Sequence, residues 1–329
     1  MADLSTVHSL IDVGKLYLRK DLLPIVGLLH KRNGIIGALS WELANQFTSH
    51  IYAKDVYLPD AIERNINDGA VDQKSQEGQG TESLSYIQGK SKVDIQFQAI
   101  LGSGFNAYRY KKDSQASEGF GQGLVNRVIY GAGTPGKLRG LQVRYNALSQ
   151  ANVKTAGGAV SVANTSLYVI QPGDGGFNML FGEGARPGTP DGEFSSGLLN
   201  MRDLDIKTII TSTTTLASFE AYITLFEALL GMCVYDDRAV QRLCNINTTT
   251  GAGEVDPDIV WWMIRSLPNP DGPRFIVANR QGIYQFQKNI QNKTLFTTRS
   301  NEYGGVDEYF MGTRLILTEA ITNIEAVVS

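Results

Sequence analysis

Residues 219–247 run Phe219-Glu220-Ala221-Tyr222-Ile223-Thr224-Leu225-Phe226-Glu227, then Leu229-Leu230-Gly231-Met232-Cys233-Val234-Tyr235, then Asp236-Asp237-Arg238 and Ala239-Val240, and close on Asn247. The stretch alternates apolar and polar at its start and is almost continuously apolar later, with Asp236-Asp237 read as a turn. That pattern predicts a long extended ribbon, half buried first and fully buried afterwards. It holds no nucleophile beside a base, no ligands at metal spacing and no glycine cradle. A chain that places its most regular sequence in a ribbon is expected to touch neighbours rather than turn over a substrate.

A second long hairpin is expected at 47–98. His50 to Asn67 and Thr81 to Gln98 flank a polar tip at 68–80, and Val93, Ile95 and Phe97 alternate with Asp94, Gln96 and Gln98. At ~3.3 Å per residue each arm projects roughly 50 Å. A two-stranded ribbon of that length is marginal alone in water, so it needs a neighbour. Ahead of it, residues 1–46 read as an arm. Leu10, Val13, Leu16 and Tyr17 recur at helical spacing, Pro24 interrupts, and Asn33-Gly34 is a helix stop. A helix is predicted over 111–130, capped by Asp113 or Ser114, with a stripe of Ala116, Phe120, Leu124 and Val128. Gly119, Gly121 and Gly123 each cost it about 1 kcal/mol, so packing must hold it.

From Gly131 onward the chain is expected to be loop-rich, with a strand at Ser166 to Ile170 and a Gly/Pro segment over 172–197. Asp205 to Thr211 alternates as a strand. Asp256-Pro257 opens a helix containing Trp261 and Trp262, read as core plus interface. Arg274 to Ala278 reads as a strand, Gln281 to Gln291 as a helix and Thr313 to Thr318 as a last strand. These predict a small mixed sheet covered by helices.

Composition narrows the function classes. With 42% hydrophobic and 19% charged residues among 329, a sizeable core can form. The formal net charge of -3 excludes a strongly basic nucleic-acid binder. Cys233 and Cys244 sit in apolar sequence and read as buried thiols in a reducing cytosol. Neither a secretory signal nor an apolar run of membrane-spanning length is visible. Gly131-Ala132-Gly133-Thr134-Pro135-Gly136 matches a dinucleotide fingerprint by letters, but a helix precedes it and none follows, so it reads as a connection. His8, His30 and His50 are the only histidines, and no triad or metal spacing involves them. No catalytic, cofactor-binding or metal-binding residue is therefore assigned, and no cofactor is expected.

Several blocks in order carry a resemblance. They include Asp12-Val13-Gly14-Lys15, Asn33-Gly34-Ile35-Ile36, Tyr130-Gly131 followed by Gly140-Leu141-Gln142-Val143-Arg144-Tyr145-Asn146-Ala147, and Val240-Gln241-Arg242-Leu243-Cys244-Asn245-Ile246. Arg274-Phe275-Ile276-Val277-Ala278-Asn279-Arg280, Gly312-Thr313-Arg314-Leu315-Ile316-Leu317 and Asn323-Ile324-Glu325-Ala326-Val327-Val328 follow. Together they resemble the major capsid proteins of tailed bacteriophages, most closely the short-tailed group, which have the Hong Kong phage-type capsid fold.

The resemblance implies an α+β chain divided into an N-terminal arm (1–46), an extended hairpin loop (47–98) and a peripheral lobe with a spine helix (99–137). It also implies a first part of an axial lobe (138–215), long peripheral strands (216–250) and a second axial part (251–329). The family's commonest arrangement places the long strands last, so a permuted order is expected here. No long extension precedes the arm, so no built-in scaffold is expected. The implied protein is not an enzyme. It self-assembles as hexamers and pentamers into an icosahedral virion capsid in the host bacterial cytoplasm. Implied partners are copies of itself, a portal protein, scaffolding and decoration or cement proteins, and packaged double-stranded DNA held without sequence preference; no membrane is involved. Lys15, Arg19, Lys20, Lys31 and Arg32 are a candidate basic patch for that DNA or simply a solvated arm. A tail or baseplate protein and a loop-rich α/β enzyme remain open alternatives at this stage.

Overall fold

The computed structural model describes residues 34–329 except 58, 62, 68, 70, 71, 73, 103–104, 135, 159–162, 174, 183–199, 211–217, 249–252, 291–294 and 301–305. Residues 1–33 of the arm expected over 1–46, with its basic residues and with His8 and His30, lie outside the described residues.

The 219–247 stretch folds as two strands in two different sheets. Strand β9 (Ser218–Val234) is 17 residues long, exposed at its start and buried almost without break afterwards. β4 (Ser85–Asp94) pairs with it antiparallel from Ser85↔Leu230 to Asp94↔Ala221. Its other edge is shared by β8 (Asn200–Ile210) and β7 (Phe177–Phe181), and β1 (Ser40–Leu43) extends the sheet beside β7. After a 3-10 turn at Asp237–Ala239, capped by the Asp236 carboxylate, β10 (Val240–Asn247) enters the second sheet. That sheet has the order β12-β13-β14-β11-β6-β10-β5, with β5 at Val153–Thr155, β6 at Asn164–Ile170 and β11 at Phe275–Ala278. β12 (Phe296–Ser300), β13 (Val306–Phe310) and β14 (Thr313–Leu317) complete it.

The second sheet is buried on both faces, so β6 and β10 are buried at every position, polar residues such as Ser166, Gln241 and Asn245 included. Leu167, Val169, Leu243 and Ile276 meet Val260, Met263, Ile264 and Phe286 of two covering helices, Pro257–Arg265 and Arg280–Asn289. Tyr168, Ile170, Val240, Phe275 and Val277 join a larger core with Phe177, Met179, Phe226 and Leu230 of the first sheet. One core thus spans both sheets.

The long helix corrects the 111–130 expectation. It runs Phe105–Tyr130, 26 residues, so Asp113 and Ser114 lie inside it and cap nothing. Asp113 is 1% exposed. The three glycines do not break it, because Leu124, Val125, Val128 and Ile129 anchor its second half in the core. Phe120 packs over Phe226 with ring centroids 6.4 Å apart. Gly89 of β4 makes room for that packing, since a Cβ there would stand 3.1 Å from the Phe120 ring. The mid-sequence ribbon β9 therefore lies against the long helix.

The 47–98 hairpin is also corrected. β2 (Ser49–Tyr57) pairs only with β3 (Gln76–Ser83), and the pair is a separate two-stranded sheet. Part of the expected polar tip, Gln76 to Gly80, is strand. After Leu84 the chain turns into the first sheet as β4, and Gln96–Leu101 is helix rather than arm. Of the expected alternation over 93–98 only Val93 and Asp94 are strand, the end of a body strand that buries Ile87, Ser91 and Val93, whereas β3 has no buried face. The projecting pair is accordingly shorter, ~30 Å at 3.3 Å per residue.

Other boundaries move for similar reasons. Gly34 lies in the helix Gly34–Ala38, with Ile35 and Ile36 buried, and β1 follows; Asn33 of the expected stop lies outside the described residues. The Gly/Pro segment contains β7, whose Phe177 to Leu180 are buried. The divisions at 138–215 and 216–250 do not follow the sheets, because β7 and β8 join β9 while β10 leaves it for β6. Among the described residues the chain visits the first sheet, the second, the first again and the second to finish.

Candidate assembly surface

The feature that stands off the body is the β2–β3 ribbon, and its root is built to hold it at one angle. Arg144 Nη1 and Nη2 donate to the two carboxylate oxygens of Glu82 at 2.6 and 2.5 Å. Both side chains are largely buried, at 9% and 16% exposed, so this two-pronged pair is among the stronger kinds. His50, 4% exposed, sits with Nε2 3.0 Å from the Tyr235 hydroxyl, which donates to Glu42 Oε2 at 2.8 Å. Tyr52 packs edge-on to Tyr235 with centroids 5.2 Å apart. Leu84, at the point where the chain leaves the ribbon, is buried with Ala44, Leu180 and Cys233. Gly231 opposite leaves it space: a Cβ there would lie 2.8 Å from Leu84 Cδ2. Lys54 Nζ to Asp237 Oδ2, 3.4 Å apart and solvated, adds little.

Beyond the root the ribbon buries almost nothing. Ala53, Lys54 and Tyr57 of β2 are exposed, and all of β3 is exposed or half-buried. At the tip Ile66 is 93% exposed beside Asn67, whose φ is 73°. Strands with a firm root and bare faces can bind another surface but offer no enclosed site for chemistry.

The residues singled out in the sequence scatter rather than converge. His50 serves the ribbon root. Cys233 and Cys244 are free and buried, and burial pushes the Cys233 thiol up to about 12. Trp261 and Trp262 are not core: the helix buries Val260, Met263 and Ile264 instead, and Trp262 is 48% exposed. Arg265 lies over Trp261 and Lys154 over Trp262, at 4.6 and 4.4 Å from the ring centroids. The Gly131–Gly136 run is a tight return loop. Gly140 N donates to Gly131 O at 2.9 Å, and a Cβ on Gly140 would stand 2.3 Å from Gly131 N; those glycines serve a backbone contact, not a pyrophosphate. Among the described residues no three His, Cys, Asp or Glu side chains group as metal ligands would, and no helix is long and apolar enough to cross a membrane.

Two polar constellations escaped the sequence reading. Arg242 is wholly buried, and its Nη2 lies 3.1 Å from Glu325 Oε2. Its Nη1 donates to the Tyr145 carbonyl at 2.6 Å and its Nε to Ser166 Oγ at 3.1 Å. Tyr130, last in the long helix, donates to Glu325 Oε1 at 2.6 Å. This network ties the long helix, β6, β10 and the C-terminal segment. A single charged residue in the otherwise uncharged stretch Val240 to Asn247 was the available signal. The second is Asp113, above the cross-strand pair Ser91↔Thr224, both 0% exposed. Burial raises its carboxyl to about 8 against the opposing pull of Ser91, Arg109 and Thr224. Arg109, one turn earlier, donates to Asp203 of β8 at 2.8 Å.

The architecture is similar to a solved structure of bacteriophage Epsilon15, with a TM-score of 0.60 and 21% identity over 88% of each chain. The capsid of bacteriophage JBD30 (TM-score 0.44, 8% identity, 88% of this chain and 91% of that one) is too distant to build on. So is the SrpI encapsulin of Synechococcus elongatus PCC 7942 (TM-score 0.41, 12% identity, 68% and 90%). No curated protein matches the chain. A projecting ribbon, a long helix under long strands and a second mixed sheet make this the tailed-phage capsid fold. The family model for the major capsid protein GP7 matches residues 19–329, and the chain belongs to that family.

Proposed function

We propose that the chain closes an icosahedral shell by ringing into hexamers and pentamers, each ribbon lying over the next subunit, around packaged double-stranded DNA. The observation that carries this reading is the ribbon itself, clamped at the root by Arg144 and Glu82 and unburied beyond it. The first sheet with the long helix forms the peripheral lobe, and the second sheet forms the axial lobe at the capsomer centre. Each contact can be modest, because closure repeats it around the shell. DNA meets the inner face through a few weak, non-specific phosphate contacts, since a chain of net charge -3 grips phosphate poorly. A portal protein occupies one vertex, and scaffolding and decoration proteins act during and after assembly in the host bacterial cytoplasm. The chain performs no catalysis in this scheme.

Deleting 59–75 and joining the two strands by a short turn leaves the Arg144–Glu82 clamp in place. That chain should remain a folded, soluble subunit and fail to close shells by light scattering and electron microscopy. Normal shells from it would remove the ribbon from the assembly mechanism.

A further inference from the structure

The described residues begin at Gly34, and Gly34 lines a groove. About 590 Å³ of open space lies along the helix Arg280–Asn289 and β14, bordered among others by Ile283, Tyr284, Glu308 and Leu317. Two large apolar side chains stand bare in it, Tyr284 at 60% and Leu317 at 47% exposed. Leu315 and Ile316, also in the lining, are buried, and a Cβ on Gly34 would touch Ile316 Cγ2 at 3.4 Å. Most of the charges are satisfied within the chain: Asp307 meets Arg314, and Arg280 meets Glu319. Glu308 differs. Its Oε2 accepts from the neutral Gln287 amide at 2.7 Å, and no cation pairs with it among the described residues. The groove is therefore apolar, with one carboxylate left uncompensated.

The sequence immediately ahead of Gly34 has the matching character. Residues 22–33 lie outside the described residues, and they run Leu22-Leu23-Pro24-Ile25-Val26-Gly27-Leu28-Leu29, then His30-Lys31-Arg32-Asn33. The first part is almost wholly aliphatic, and water drives such a run under cover. Ile25, Leu28 and Leu29 have the i, i+3, i+4 spacing of one helix face. Their tether limits where they can go. The chain from Leu28 to Gly34 reaches at most ~20 Å when fully extended, and Gly34 is itself part of the groove wall. A tethered segment binds at high effective concentration, so a modest contact suffices. Lys31 and Arg32 lie closer still to Gly34, on the side of the run where Glu308 lacks a cation.

We propose that residues 25–29 dock in this groove of their own chain, with Ile25 and Leu28 against Tyr284 and Leu317 and with Lys31 and Arg32 facing Glu308. The segment then adds a third covering element to the second sheet, beside the helices Pro257–Arg265 and Arg280–Asn289. Whatever the earlier residues reach, they depart from a fixed point on the body. A second copy's arm would compete for the groove without the advantage of the short tether. The contact belongs to the single subunit, so it stands or falls independently of how ribbons join a shell.

The test uses the full chain carrying Leu28→Cys and Tyr284→Cys. Subunits grown on ordinary and on heavy nitrogen are mixed, oxidised in air, digested and weighed by mass spectrometry. The native Cys233 and Cys244 are 0% exposed and do not compete. The expected product joins positions 28 and 284 with both peptides carrying the same isotope. Linked peptides of mixed isotope would show that another copy fills the groove and would overturn the proposal. If no link forms, hydroxyl-radical footprinting of the full chain decides. Leu28→Asp should raise oxidation of Tyr284 severalfold over the parent and leave that of Tyr86, also exposed, unchanged. Equal oxidation of Tyr284 in parent and variant would mean that the groove stands open, and the proposal would fall.

Discussion

Arg242 and Glu325 show how much a single charged pair can be asked to hold. Both are buried, and each is further satisfied by neutral groups, Ser166 and the Tyr145 carbonyl on one side and Tyr130 on the other. Removing one partner strands the other charge, which costs about 3–5 kcal/mol. Glu325→Ala should lower the chemical-denaturation stability of the isolated subunit by about that amount; a loss under 1 kcal/mol would mean that the network is not a joint. Asp113 makes the opposite demand. Its folded pKa, about 8, lies above the ordinary 3.8, so the folded state holds a proton that the unfolded state has released. The stabilisation is fully present below pH 4 and is lost as pH rises from 4 to 8. Asp113→Asn keeps a neutral polar group there, so its advantage over the parent should widen across that window, reaching roughly 5 kcal/mol if the full shift is expressed. Urea melts at pH 5 and pH 8 check this; a constant gap would show that Asp113 does not titrate in that window.

Among the elements, the β2–β3 ribbon depends on its root more than on its own pairing, since a lone two-stranded pair is marginal in water. Glu82→Ala should leave β9 intact, loosen the ribbon and strand the Arg144 charge. Hydrogen exchange of the β2 and β3 amides should accelerate by at least tenfold, with β9 amides unchanged; equal protection in both would contradict the clamp. Much of this was legible in the sequence. The 219–247 stretch announced a buried ribbon, and the strand–helix–strand order after Pro257 was readable because caps and breakers mark it. What was not legible has physical causes. Val93 alternates identically whether its strand projects or joins a sheet, and only the pairing of β4 with β9 separates the two. The first turns of the long helix, Phe105 to Lys112, mix polar and aromatic residues without a clean stripe, because Arg109 and Asp113 face the sheet there. Arg242 and Glu325 are 83 residues apart, and no local pattern joins them.

At the scale of the molecule, one core spans two sheets while the ribbon stands outside it, an economy that makes sense only in a lattice. The body supplies a rigid block, the ribbon supplies reach, and closure multiplies a modest contact. The central claim is that the ribbon makes the contact between neighbouring subunits of the shell. The direct measurement is a cryo-electron microscopy reconstruction of assembled shells. The account predicts closed shells of five- and six-membered rings, with density for the ribbon of Ser49 to Ser83 crossing onto the adjacent subunit. Open rings, tubes, or shells in which each ribbon folds back on its own subunit would contradict it.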